Sequence, residues 1–235
     1  MPQRQSSVSF LITAEHASAT VPAAWAAPFK KQASVLTTHR AWDPGSRELA
    51  RALAKRLNAH CLEGQVSRLL IDLNRSANHP RLFSEFSQRL PAGDRQTLMR
   101  DYWQPHWDHY AQLIRKHPGQ VVHLACHSFT PILDGQVRTG DIGLLYDPTR
   151  AGERAWCQQL KAALVEHLPQ LRVRRNYPYR GTSNGLGQQH RRRFGEDKLI
   201  TLEIEVNAAL VQQPEWPQTM DLLVAAVAQA AEHWP

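Results

Sequence analysis

The sequence predicts an α/β fold: a mainly parallel or mixed sheet covered on both faces by helices. Two observations carry this. Apolar strand-like runs alternate along the chain with segments of helical periodicity. Several of the runs are mostly apolar on both alternating sets of positions, as strands buried on both faces are.

The elements follow in order. Phe10-Leu11-Ile12-Thr13-Ala14 reads as a first strand and runs into Glu15-His16. Leu49, Ala50, Leu53 and Leu57 recur at helical spacing, with Asp43 before Pro44 as an N-cap and a first-turn proline. A strand is expected near 66–73, ending at Asn74-Arg75. Residues 95–116 read as a helix that Pro105 kinks or offsets. Further strands are expected at 120–127, 143–146, 172–177 and 199–206, with helices over 151–167 and 217–233. A Gly-rich loop is expected at 181–187. With 235 residues and no repeat or long linker, the chain 1–235 suits one domain.

Composition narrows the function. Apolar residues make up 42% and charged residues 21%, an ordinary balance for a soluble protein. No apolar run reaches the roughly 20 residues of a membrane span. The first seven residues are polar and lack the apolar core of a secretory signal, which points to the cytoplasm. Cys61, Cys126 and Cys157 form neither a disulfide framework nor a zinc knuckle. The net charge of +7 permits nucleic-acid binding, but the run Gln188–Arg193 lacks interleaved aromatics for base stacking. A solvated basic surface, or a cleft for small anions, accounts for the charge better than a nucleic-acid partner.

Chemistry concentrates at strand ends. Val121–Cys126 runs into His127-Ser128, where open α/β sheets place their ligands. His16, Asp43 and His127 are a candidate metal set, since catalytic zinc takes three His or carboxylate ligands and keeps one position open. Taken singly, such a histidine is more often a hydrogen-bonded core residue, and an N-cap aspartate needs no metal. Spacing alone leaves the ion open. Glu203 and Glu205 alternate with apolar neighbours and share one face of their strand. They are an exposed face, a salt-bridge partner for arginines, or a general base. Asn74-Arg75 is a solvated turn or a fork for a substrate carboxylate. Ser128 lacks the Gly-x-Ser-x-Gly setting of a nucleophile.

Taken in order, several segments resemble the N-formylglutamate amidohydrolase family. They are Glu15-His16-Ala17-Ser18, Ala41-Trp42-Asp43-Pro44-Gly45, Ser67–Arg75, His127–Gly135, Ile142–Tyr146, Tyr177–Gly181 and Glu203-Ile204-Glu205-Val206. The stretch His127–Gly135 is the most specific. The first motif is closest to the family branch that has Asp-His-Ala-Ser there. The resemblance implies a three-layer sandwich like that of the zinc carboxypeptidases, a phosphorylase/hydrolase-like architecture. It implies one zinc ion on His16, Asp43 and His127, with Glu205 as catalytic base and Glu203 as runner-up. It implies a small anionic amide as substrate, its carboxylate bound by Asn74 and Arg75. Arg180 and His190 are further candidates for substrate binding. Asn207 and Ala209 depart from the family branch, which carries Arg and Asp there. Two other readings stand beside this one: a basic nucleic-acid-binding protein, and a family member that has lost its activity.

Overall fold

A computed structural model describes residues 8–234; the polar segment 1–7 lies outside the described residues. The first βαβ unit is β1 (Ser9–Ala14), α1 (Ser46–Leu57) and β2 (His60–Glu63), with β1 and β2 parallel. Next, α2 (Ala92–Leu98), a π-helical turn (Met99–Trp103) and α3 (Gln104–Lys116) follow without a break. The π turn lies just before Pro105, which has no N–H to give the preceding turn. The chain then enters β3 (Val121–Phe129), the small hairpin of β4 (Ile132–Leu133) and β5 (Gln136–Val137), and β6 (Ile142–Leu145). After α4 (Ala151–His167) come β7 (Val173–Arg175), α5 (Leu186–Arg191), β8 (Leu199–Asn207), α6 (Ala208–Val211) and α7 (Trp216–Glu232).

The six-stranded sheet has the order β2-β1-β3-β8-β6-β7. All neighbours are parallel except β8 and β6. Strand alternation divides the core in two. Ile12, Val122, Leu124, Cys126, Leu202 and Ile204 meet α1, α4 and α7 on one face. Leu11, Val121 and Leu199 meet α3, α5 and the 66–86 segment on the other. The expected layered, mostly parallel α/β architecture is therefore observed.

Two local expectations are corrected, and one strand was not foreseen. Residues 66–73 make no strand. Leu69, Leu70, Ile71 and Leu73 are buried, but Leu70 N–H bonds the Ser67 carbonyl at 2.8 Å in a tight turn. Serine hydroxyls supply the missing ladder: those of Ser84 and Ser87 donate to the Leu69 carbonyl. A short apolar run cannot be told from a buried turn by periodicity. The edge strand β2 has no apolar alternation to announce it. Asp43 is not the N-cap of α1. That place falls to Gly45 at φ 78°, a left-handed conformation suited to glycine. Asp43 offers its backbone carbonyl to the Ser46 N–H and hydroxyl, which frees its carboxylate.

Candidate metal centre

Three elements converge where β1 and β3 end. The turn after β1 holds Glu15 and His16 side by side. The turn before α1 aims Asp43, and β3 carries His127. One oxygen gathers them. Asp43 Oδ2 lies 3.3 Å from His16 Nδ1 and 2.9 Å from His127 Nδ1. The three ligand atoms lie within 4.8 Å of one another, and all three residues are buried.

The outward nitrogens are held by carboxylates. His16 Nε2 lies 2.7 Å from Asp72 Oδ1. His127 Nε2 makes a 3.0 Å ion-pair contact with Glu15 Oε2. Arg68 spans the group, donating to Asp43 Oδ1 at 3.3 Å and to Asp72 Oδ2 at 3.2 Å. Burial disfavours each charge, but the clustering outweighs it. It holds Asp43, Asp72 and Glu15 below the usual carboxylate range, through the imidazoles beside them. Burial likewise opposes charge on the imidazoles. Asp72 and Asp43 nevertheless raise His16, and Asp43 and Glu15 raise His127.

The arrangement fits a divalent ion. An imidazole that gives its Nε2 proton to a carboxylate is free to offer Nδ1 to a metal, and here both Nδ1 atoms face one carboxylate oxygen. Such His and carboxylate donors suit zinc and similar borderline ions. The group His16, Asp43 and His127 can therefore hold a metal ion. Glu15, Asp72 and Arg68 were not singled out from the sequence for this role. The available signal was a carboxylate inside or beside an apolar run, as in Ile71-Asp72-Leu73.

Glu205 is the register partner of His127 across β3 and β8, so the two side chains are neighbours on one face. Its Oε2 is buried without a partner. Burial raises its pKa to about 7, with Asp43 and Glu203 adding to the rise against His127. On its other side stands Gly143. A side chain there would meet the Tyr177 carbonyl oxygen at 1.7 Å, so glycine lets the 176–185 loop close over this edge. Glu203 pairs with Ala125, one step further from His127, and is also raised by burial.

The remaining candidates are placed differently. Asn74 brings Nδ2 to 3.4 Å from His127 Nε2, while its Oδ1 accepts from Leu186 N–H at 2.7 Å. Arg75 is partly buried; it donates to the Asn184 carbonyl and lies 3.8 Å from Asp72. Arg180 is exposed on the 176–185 loop. His190 is sealed in the second core instead of facing a substrate. Its Nδ1 meets the Leu186 carbonyl at 2.8 Å, and Trp107, Tyr110 and Phe194 surround its ring. Arg191, in the basic run, is also turned inward, onto the buried Glu153 at 2.9 Å. Asn207 caps α6, accepting from Ala209 N–H at 3.0 Å and donating to the Gly140 carbonyl at 3.0 Å.

Comparison with known proteins agrees with this geometry. Residues 8–212 match the family model of the N-formylglutamate amidohydrolases. Among solved structures, the chain is similar to gene product Atu2144 from Agrobacterium tumefaciens. The two share 27% identity and a TM-score of 0.81, covering 95% of this chain and 90% of that one. It also shares its fold with an N-formylglutamate amidohydrolase from Ralstonia eutropha JMP134, at 16% identity and a TM-score of 0.69, over 98% and 95% of the two chains. No curated protein matches the chain in sequence. The match of most of the chain to the family model shows that the protein belongs to the N-formylglutamate amidohydrolase family.

Proposed function

We propose that this protein is a zinc-dependent hydrolase that cleaves the amide bond of an N-formyl or N-acyl amino acid. The observation that carries the reading is one buried cluster. Two imidazole Nδ1 atoms and a carboxylate oxygen converge there, beside a carboxylate with an unpartnered oxygen. One zinc ion on His16, Asp43 and His127 would supply Lewis-acid polarisation of the amide carbonyl and make water more acidic.

The chain's own groups do the rest. Glu205 accepts the proton of the attacking water at Oε2 and returns it to the leaving amine nitrogen. Its pKa of about 7 suits both transfers near neutrality. Glu203 is the alternative base. Asp72 and Glu15 fix the imidazole orientation through Nε2, and Arg68 locks Asp72 against Asp43. Asn74 and Arg75 bind the substrate carboxylate, with Arg180 at the rim. His190 has no part, being walled off by aromatic rings. The test is hydrolysis of N-formyl, N-acetyl and N-carbamoyl amino acids by purified protein whose zinc content is measured alongside. Turnover that requires zinc supports the reading; zinc-loaded protein that cleaves none of them refutes it.

A further inference from the structure

The geometry points to Arg138 as a specificity residue, the one that grips the second carboxylate of a dicarboxylic amide of the kind the family is named for. This rests on the hydrolase reading above and adds a specificity residue to it.

β3 does not stop at His127. Phe129 lies two residues on and pairs with Asn207, itself two residues beyond Glu205. Alternation puts the Phe129 ring on the His127 and Glu205 face, roughly 7 Å further along the strand. The chain then turns through the β4–β5 hairpin, which Arg138 N–H closes by bonding the Pro131 carbonyl at 2.7 Å. The hairpin folds the Arg138 guanidinium back over the site end of the sheet. Its carbon lies 5.8 Å from the Phe129 ring centroid and 5.0 Å from that of Tyr179. Two aromatic groups thus hold the plane of this cation.

The hydrogen bonds leave one edge open. Nη1 donates to the Tyr179 hydroxyl at 3.1 Å and reaches the Thr130 carbonyl and hydroxyl at 3.4 Å. Among the described residues, Nε and Nη2 have no hydrogen-bond partner and no carboxylate lies within ion-pair reach. Arg68, Arg75, Arg150 and Arg191 differ, each meeting a carboxylate. The free Nε–Nη2 edge is the planar fork that a carboxylate takes in two parallel bonds. From another element, the segment after Leu73, Asn74 Nδ2 comes to 3.4 Å from His127 Nε2, with Arg75 next in the chain. A substrate with one carboxylate at Arg75 and another at Arg138 spans the pair.

The test compares N-formyl-L-glutamate with N-formyl-L-glutamine, which have the same shape and differ in one charge. Wild type should favour the glutamate substrate, through KM. Arg138→Gln should shrink the ratio of the two kcat/KM values by roughly 10- to 150-fold, the worth of a charge-assisted pair. Arg138→Lys should restore part of it. Calorimetric binding of L-glutamate and L-glutamine is read in parallel on the folded proteins and should show the same loss of discrimination. An equal fall for both substrates in Arg138→Gln would mark a structural role and overturn the assignment, as would an unchanged ratio. If wild type hydrolyses neither amide, the hydrolase reading fails by itself. The calorimetric ratio then decides Arg138: discrimination lost in the variant supports it, and discrimination absent or unchanged overturns it.

Discussion

Asp43 Oδ2 lies within 3.3 Å of two imidazole nitrogens, and each imidazole has a further carboxylate at its far side. Loss of either outer carboxylate should loosen the ion without removing a ligand. Asp72→Asn is expected to weaken zinc binding about 10- to 100-fold. Competition with a chromogenic chelator measures it; unchanged affinity would make Asp72 a purely structural partner of Arg68. Glu205→Gln should keep the ion and lose about 10²–10⁴-fold in kcat, because an amide cannot take the water's proton. If the variant is fully active and Glu203→Gln is not, the base is Glu203. The same residue should cost stability in the metal-free protein. The unfolded carboxyl ionises near its ordinary value of 4.5 and the folded one near 7. The folded state therefore holds the proton longer, and stability falls as pH rises between those values. Metal-free Glu205→Gln should accordingly gain roughly 2–4 kcal/mol on wild type at pH 8 compared with pH 4. Urea titrations at the two pH values read this, and a pH-independent difference would contradict it. His16, His127 and Glu205 stood out in the sequence as polar groups set at the ends of, or within, apolar strands, and Asp43 as a residue opening a helix; the family resemblance grouped them. The parts of Glu15, Asp72 and Arg68 were not legible there, because their roles exist only in contacts between distant segments.

Among the elements, β3 and β8 were the most legible, since strict alternation fixes which residues share a face. The buried turns at 66–73 were not, because satisfied hydroxyl and backbone bonds let an apolar run stay irregular. α5 hid most. Its basic composition suggested a solvated run, yet His190 and Arg191 face inward. Arg191 and Arg150 both reach Glu153, which is fully buried and also accepts from Asp147 N–H at 2.9 Å. These contacts tie α4 to α5. Glu153→Ala strips two arginines of their partner and should cost about 3–5 kcal/mol in denaturant unfolding. A loss below about 1 kcal/mol would mean that water replaces the carboxylate.

At the scale of the molecule, the layered sheet brings three sequence-distant residues that could hold a metal ion to one end. The fold class followed from strand and helix alternation, and the order of motifs followed the family. The convergence itself required tertiary structure: His16, Asp43 and His127 are separated by 27 and 84 residues along the chain. Among the described residues no helix is long and apolar enough to cross a membrane. Of the positive charge, Arg191 is spent internally on Glu153, whereas Arg138 meets no carboxylate among the described residues. The most direct measurement is formate release from N-formyl-L-glutamate by metal-stripped protein as zinc is added back. Turnover should be absent without zinc, rise to a plateau at about one equivalent, and fail to rise in His127→Ala. Full turnover by the stripped protein, or none at any zinc level, would contradict a metal-dependent amidohydrolase centred on His16, Asp43 and His127.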